Sequence, residues 1–380
     1  MVEKNLNAAI RSQKSEVRGQ RTEVRGQRTE VRGQRTEVRS QKTEDRNQKK
    51  GFGQIKGSIL SIFCHLLFVI CYLCVCSCAR PLYKNKFVIC GTFLEVTSSR
   101  REAASIVYEE FKRLDKVFNF YDPTSELSRL NNTYHSPIKV SKEMIEVLQI
   151  SREVYNISAG AFDPSYGVLF EFWKNLIQRG AIKELPAKEE IEELKKKCGM
   201  DGFEVNIEAQ TVVMKKAGLK IDLAAIAEGY MVDQAVLKLK MRGISDAIIN
   251  AGGDIYCLGR NSGKPWVVGV KNPQDLEGII EKEVLIDEAI TTSGGYEQFF
   301  ELAGKRYSHL IDPRSGYPVD NNIASVSVIA KRCVTADSFA TAFCVSGLME
   351  AKKILATFPS AMRIFVVTVD KDGKRIHKIR

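Results

Sequence analysis

The chain has 380 residues, 44% of them hydrophobic and 27% charged, with a formal net charge of +11. That length excludes a small disulfide- or metal-stapled module and leaves room for one large or two ordinary domains around a real core. The charge suggests a nucleic-acid binder until it is located: residues 1–56 hold 15 Lys and Arg against 7 Asp and Glu, so +8 of the +11 lies there and the rest of the chain is close to neutral.

Those 56 residues are a degenerate heptad repeat. Ile10-Arg-Ser-Gln-Lys-Ser-Glu16 is followed by three copies of Val17-Arg-Gly-Gln-Arg-Thr-Glu23, then by two decayed copies starting at Val38 and Asp45. A coiled-coil seam needs two apolar residues per heptad, and each copy has at most one. With no aromatics in the repeats, and a glycine in three copies, the leader is expected to be disordered. Glu accompanies every recurrent Arg, so no nucleic-acid partner is expected. Near-identical copies point to recent duplication of coding DNA and to a start codon placed too far upstream. Residues 59–78 are mostly apolar behind Lys49, Lys50 and Lys56, the layout of an export signal. Val75-Cys-Ser-Cys78 resembles a lipobox with Cys78 as the lipidated residue, and an uncleaved membrane-spanning helix is the alternative. Either one tethers the globular part to a membrane. The expected organisation is a leader (1–56), a signal or anchor (57–78) and a globular domain (79–380).

Five of the ten cysteines lie inside the apolar segment, and the other five (Cys90, Cys198, Cys257, Cys333, Cys344) are scattered without metal-ligand spacing. Beyond the anchor only His135, His309 and His377 remain, so a three-histidine metal site is not expected and any metal should be held by oxygen. The globular part should open with a strand over 87–96 and a helix over 99–118, with Ile106, Phe111, Leu114 and Phe118 on one face. Asp122-Pro123 turns the chain, and Ser125 can cap a short helix carrying Glu126 and Arg129. A helix over 141–157 leads to Gly160-Ala-Phe-Asp-Pro-Ser-Tyr-Gly167, a loop with an apolar and an acidic side chain at its tip. Residues 187–198 read as a charged, solvated helix.

Two strands then deliver the chain to Asp222, at a strand-to-helix junction where orphan helix N–H groups face a ligand. Ile226, Tyr230 and Leu237 are spaced to line one face of that helix. A short apolar strand runs into Gly252-Gly253-Asp254, where the glycines admit close approach and Asp254 can meet a sugar hydroxyl or a metal. Strands follow over 266–270 and 284–290. Residues 291–297 (Thr-Thr-Ser-Gly-Gly-Tyr-Glu) form a polar glycine loop suited to phosphate or sugar. After a hairpin at Gly304-Lys305, a strand should bring His309 and Asp312 to the mouth of a Pro/Gly turn. Asp337 and Thr341 are spaced i, i+4 on a last helix, where they stack and can share a hard cation, a solvated face being the plainer alternative.

In order, these pieces resemble the bacterial FAD:protein FMN transferases, or ApbE-type flavin transferases. The resemblance runs from about residue 87 to the C-terminus. It rests on Tyr121-x-Pro-x-Ser-Glu-Leu-Ser-Arg-Leu-Asn131, the 160–167 loop, the 222–233 segment and Asn250-Ala-Gly-Gly-Asp254. It continues through Thr292-Ser-Gly, His309-x-x-Asp-Pro-Arg-Ser-Gly-Tyr-Pro318 and Ala336-Asp-x-x-Ala-Thr341. It implies an α+β fold, two subdomains built on mixed sheets with flanking helices, and an FAD cleft between them. It also implies that Cys90, Tyr121, Ala161, Phe162, Asp163, Asp222, Glu228 and Asp254 contact FAD. Mg²⁺ would be held by the Ala225 carbonyl, Asp337 and Thr341.

The implied reaction moves FMN from FAD to a threonine of an exported respiratory or electron-transfer protein and releases AMP, at the outer face of the bacterial inner membrane. Breaking a pyrophosphate calls for charge neutralisation on phosphate oxygens, which a metal supplies. His309 is the first candidate base, with Asp312 or Asp337 able to take the proton instead. Two other readings stay open: a Mg²⁺-dependent FAD pyrophosphatase, and a non-catalytic flavin-binding lipoprotein.

Overall fold

The computed structural model describes residues 81–178, 184–273, 275–295, 299–302, 305–357, 362–370 and 373–379. The expected leader (1–56) and the expected signal or anchor (57–78) lie outside the described residues, as do Tyr296 and Glu297 of the expected glycine loop. Among the described residues no helix is long and apolar enough to cross a membrane. Arg80–Arg380 forms one compact unit.

The chain enters through hairpin β1 (Tyr83–Ile89) and β2 (Thr92–Ser98), followed by helices α1 (Ala103–Phe118) and α2 (Glu126–Asn131). Next come β3 (Ile138–Lys139), α3 (Lys142–Ile157), α4 (Gly167–Gln178), α5 (Lys188–Lys195) and the pair β4 (Phe203–Asn206) and β5 (Thr211–Met214). Helix α6 (Ala224–Met241) leads into β6 (Ala247–Ala251), β7 (Asp254–Leu258), β8 (Trp266–Asn272) and β9 (Asp275–Leu285). Strands β10 (Glu288–Gly294), β11 (Phe299–Leu302), β12 (Lys305–Ser308) and β13 (Ile323–Ala330) come after them. The chain closes with α7 (Cys333–Ser346), α8 (Leu348–Thr357), β14 (Arg363–Asp370) and β15 (Gly373–Ile379).

An eight-stranded sheet in the order β1-β2-β6-β7-β10-β13-β14-β15 forms the centre. Period-2 alternation gives it two different faces. Ala247, Ile249, Ala251, Tyr256, Leu258, Val326, Val328, Ile364 and Val366 turn toward the helices and join one large core with Val107, Phe111, Ile226, Tyr230, Phe339 and Phe343. Their neighbours Ile248, Ile255, Cys257, Ile290, Ile329 and Phe365 turn the other way, under Trp266, Val268 and Val270 of the β8–β9 ribbon. A second sheet, β3-β5-β4, contributes Val212, Phe203 and Met214 to the same large core. Each fully buried side chain of this kind is worth about 1.5–3 kcal/mol relative to exposure. The α+β class with sheets flanked by helices is as expected, and the two expected parts share one continuous core. The described ladders pair antiparallel, with a parallel step only in the isolated Tyr166–Lys220 bridge.

Local signals place the capped helices well. Ser125 and Ser141 accept from the backbone N–H groups of Ser128 and Met144, as N-cap hydroxyls should. Several expectations need correction. The strand expected over 87–96 is a hairpin, because Cys90 and Gly91 adopt left-handed φ values of 55° and 77° and reverse the chain. The strand expected over 284–290 breaks at Asp287, at φ 50°, into β9 and β10. The polar glycine stretch from Thr291 to Gly294 is strand β10 rather than loop, paired with β13. The charged 187–198 helix is not solvated all round: Ile191 is fully buried with Leu169, Trp173 and Ile311. Leu237 is 51% exposed although Ile226 and Tyr230 on the same face are fully buried. Further along α6 that face looks onto a groove shared with Glu146 and Gln149 of α3, not onto the core.

Candidate functional site

Asp222 is fixed from three directions before it meets any ligand. The Asn131 side chain makes two 2.8 Å bonds to Ile221, donating to its carbonyl and accepting from its N–H. The Asp222 N–H donates to the Pro164 carbonyl at 2.7 Å, and the Gly167 N–H to the Lys220 carbonyl at 3.1 Å. These bonds stitch the 160–167 loop alongside residues 220–222, which form only an isolated bridge at Lys220 and not the strand expected before α6. A Cβ on Gly167 would lie 2.7 Å from the Lys220 oxygen, so glycine is required there. Asp222 Oδ1 accepts the Ala224 N–H at 2.8 Å, while its buried Oδ2 has no partner. Burial pushes its carboxyl up to about 6.

One turn into α6 the helix meets α7 at closest approach. A Cβ on Gly229 would lie 2.8 Å from both Asp337 Cβ and the Cys333 carbonyl oxygen. The Gly229 N–H donates to Asp337 Oδ2 at 3.2 Å. Gly229 is also the residue whose amide a regular helix directs at Ala225, four positions earlier. Glu228, Asp254 and Asp337 crowd together here, and Asp254 and Asp337 share a hydrogen bond. Burial first, then the neighbouring carboxylates, push Asp254 well above the ordinary range and Asp337 up to about 8. Burial pushes Glu228 up to about 7. Glu228 lies beneath the two-residue turn between β6 and β7, where a Cβ on Gly252 would meet Thr92 Oγ1 at 2.8 Å and Glu228 Oε2 at 3.0 Å. Glu228 Oε1 is buried without a partner. Asp233 serves differently, accepting the N–H groups of Cys333 and Val334 and so capping α7.

Two neighbouring cavities share Asp222. The larger, about 310 Å³, is lined by Cys90, Asp115, Tyr121, Asp222 and Glu228 among others. The smaller, about 20 Å³, is lined by Ala161, Phe162, Asp163, Asp222, Ala225, Leu310, Ile311, Pro313 and Thr341 among others. Asp163 turns back into its own loop and accepts from the Ser165 amide and hydroxyl. Thr341 Oγ1 lies 3.1 Å from Ser293 Oγ, so β10 brings a second hydroxyl beside this expected metal ligand. Sequence reasoning singles out neither Ser293 nor Asn131, although both stand inside the motifs that carry the resemblance.

His309 follows β12 and is half-buried at the start of the 309–318 turn. That turn rests on α4 and α5: Trp173 Nε1 donates to the Gly316 carbonyl at 2.8 Å, and Ile311 packs on Leu169, Trp173 and Ile191. Asp312 holds Arg314 through two 2.9 Å bonds, to Nε and Nη2, and accepts the Arg314 N–H. Its carboxylate is therefore occupied in closing the turn, unlike the free base that the sequence expectation requires.

The expected metal ligands are one carboxylate, one hydroxyl and one backbone carbonyl. Among the described residues no cluster of three or more His, Cys, Asp or Glu has metal-binding geometry. The oxygens present nevertheless suit a hard cation, since mutually repelling buried carboxylates and an unpartnered Glu228 oxygen are relieved by positive charge.

An α+β core with a two-lobed acidic cleft, stitched between a glycine-bounded loop and two crossing helices, defines a class that comparison makes specific. The ApbE family model matches residues 90–366, and the chain belongs to the ApbE family. It is 31% identical over 264 residues to the FAD:protein FMN transferase of Escherichia coli K12, covering 68% of this chain and 74% of that one. It is 30% identical over 312 residues to the FAD:protein FMN transferase of Treponema pallidum, covering 75% and 84%. The crystal structure of the ApbE protein from Thermotoga maritima superposes with a TM-score of 0.69 at 31% identity, over 78% of this chain and 97% of that one. Flavin transferase ApbE from Vibrio cholerae gives 0.69 at 26% identity over the same shares.

Proposed function

We propose that this chain is an FAD:protein FMN transferase that uses Mg²⁺ and acts on a threonine hydroxyl of an exported electron-transfer protein. The observation that carries the reading is the cluster of buried carboxylates Asp222, Glu228 and Asp337 at the cleft, the first two each with an unpartnered oxygen, in a chain about 30% identical to enzymes of that name. The acceptor oxygen attacks the flavin-side phosphorus, the bond to the bridging pyrophosphate oxygen breaks, and AMP leaves. His309 takes the acceptor proton. The 161–163 loop, Tyr121 and Cys90 hold the ligand's ring systems and exclude water. Mg²⁺, held by Asp337, Thr341 and the Ala225 carbonyl, would neutralise charge developing on the phosphate oxygens. A lipid on Cys78 or an uncleaved helix over 57–78 would keep the enzyme at the outer face of the bacterial inner membrane.

Coexpression of the full chain with a candidate acceptor, followed by intact mass measurement, tests the reading. The expected result is an acceptor heavier by one FMN less one water, the gain of a phosphoester. AMP release from FAD at the same rate with and without acceptor would instead mark a pyrophosphatase, and unchanged FAD would mark a flavin-binding protein without activity.

A further inference from the structure

The larger cavity has a charge problem that its own lining does not solve. Its described lining contains three carboxylates, Asp115, Asp222 and Glu228, and neither Lys nor Arg. At about 310 Å³ it accepts one ring system and not a whole dinucleotide. Such a lining suits the N–H and O–H groups of a ring or sugar and repels phosphate.

A cation stands at the rim instead. Lys174, half-buried on α4, places Nζ 3.8 Å from the centre of the Tyr121 ring and 2.5 Å from the Tyr121 hydroxyl oxygen. Tyr121 itself is 60% exposed and lines the cavity. The Lys174 charge also reaches Asp222, whose carboxyl it draws down against the larger effect of burial. The aromatic face holds the ammonium by about 0.5–1 kcal/mol, and the neutral Tyr121 hydroxyl accepts one hydrogen bond from it. That is weak enough for a phosphate to displace, because a hydrogen bond between two charged groups is stronger.

We infer that Lys174 is a substrate-binding residue that receives a phosphate of the nucleotide while the attached ring enters the acidic cavity past Tyr121. The inference rests on the FAD reading above and adds an orientation: ring and sugar inward, phosphate at the rim. The phosphate belongs to either the flavin or the adenosine half, and the experiment separates them.

Full-length wild type, Lys174→Met and Lys174→Arg are titrated calorimetrically, in chelator, with riboflavin, FMN, adenosine, AMP and FAD. Wild type should prefer FMN over riboflavin, or AMP over adenosine, by roughly ten- to a hundredfold, the worth of one hydrogen bond to a charged group. Lys174→Met should erase that preference and leave the neutral ligand's affinity unchanged, and Lys174→Arg should keep most of it. The ligand pair that loses its preference names the half. If Lys174→Met keeps both preferences, or weakens neutral and phosphorylated ligands alike, the inference fails; in the second case Lys174 merely orders Tyr121. A wild type that binds no FAD even with Mg²⁺ added sinks the FMN-transfer reading as well, whereas normal FAD binding with an intact preference in Lys174→Met sinks the inference alone.

Discussion

The α6–α7 crossing and the 309–318 turn each present aspartates that look equivalent in the sequence, and the structure treats them oppositely. Asp337 is buried beside Glu228 and Asp254, with burial and like charge pushing its carboxyl up to about 8. Asp312 is clamped by Arg314 through paired 2.9 Å bonds. One carboxylate lacks a cation and the other already has one. A motif supplies the acid, but its neighbours decide whether that acid is available to a ligand.

The sharpest test of this contrast is Asp337→Asn, which keeps the shape and removes the charge. Turnover should fall by about 10²–10³-fold, the usual cost of losing one contributor to transition-state charge stabilisation. FAD affinity should change far less. Without metal the variant should melt no lower than wild type, because like-charge repulsion is relieved. Added Mg²⁺ should raise the melting temperature of wild type and not of the variant. Wild-type turnover in Asp337→Asn would show that the crossing does not hold the metal.

A smaller effect is expected in the pH dependence of stability. Asp222, Glu228 and Asp337 have folded pKa values of about 6, 7 and 8, raised from ordinary values of 3.8, 4.5 and 3.8. Each binds more protons folded than unfolded inside its window, so the metal-free protein should lose stability as pH rises from about 4 to about 8. Saturating Mg²⁺ favours the ionised carboxylates and should flatten that decline. Denaturant midpoints at several pH values, with and without metal, measure it. A metal-free stability that rises across this window would mean that cations unseen in the contrast already neutralise the cluster.

Why one half of this contrast is legible in the sequence and the other is not has a physical answer. Helix caps, the i, i+4 pairing of Asp337 with Thr341 and the glycine turn at 252–253 are local, and local rules place them. The Cys90 and Asp287 reversals escape those rules because both depend on non-glycine residues at positive φ, which no local signal announces. The gathering of Glu228, Asp254 and Asp337 joins two helices and a hairpin far apart in the chain, so no spacing encodes it. Resemblance points to those residues; their crowding comes only from the fold. Asn131 and Lys174 are hidden for the same reason, since their partners Ile221 and Tyr121 lie 90 and 53 positions away. The Asp312–Arg314 pair is local and readable, yet the aspartate's appeal as a base draws attention from it.

The smallest effect belongs to Asp312→Asn. The exchange breaks an ion pair that is partly open to solvent, and such pairs contribute only about 0–1 kcal/mol. The turn should survive it, because the Gly316 N–H still reaches the Asp312 carbonyl, the Asp312 N–H still reaches Tyr317, and Trp173 still holds Gly316. Turnover should therefore drop less than about tenfold, against the far larger loss expected at Asp337. His309→Ala is the control on the same turn. It should remove the acidic limb of the pH–rate profile while leaving the Mg²⁺ requirement as in wild type. Should Asp312→Asn lose as much turnover as Asp337→Asn, with the acidic limb intact in His309→Ala, the roles reverse. Asp312 would then leave Arg314 and take the proton, and the ion pair would be a resting state of the base.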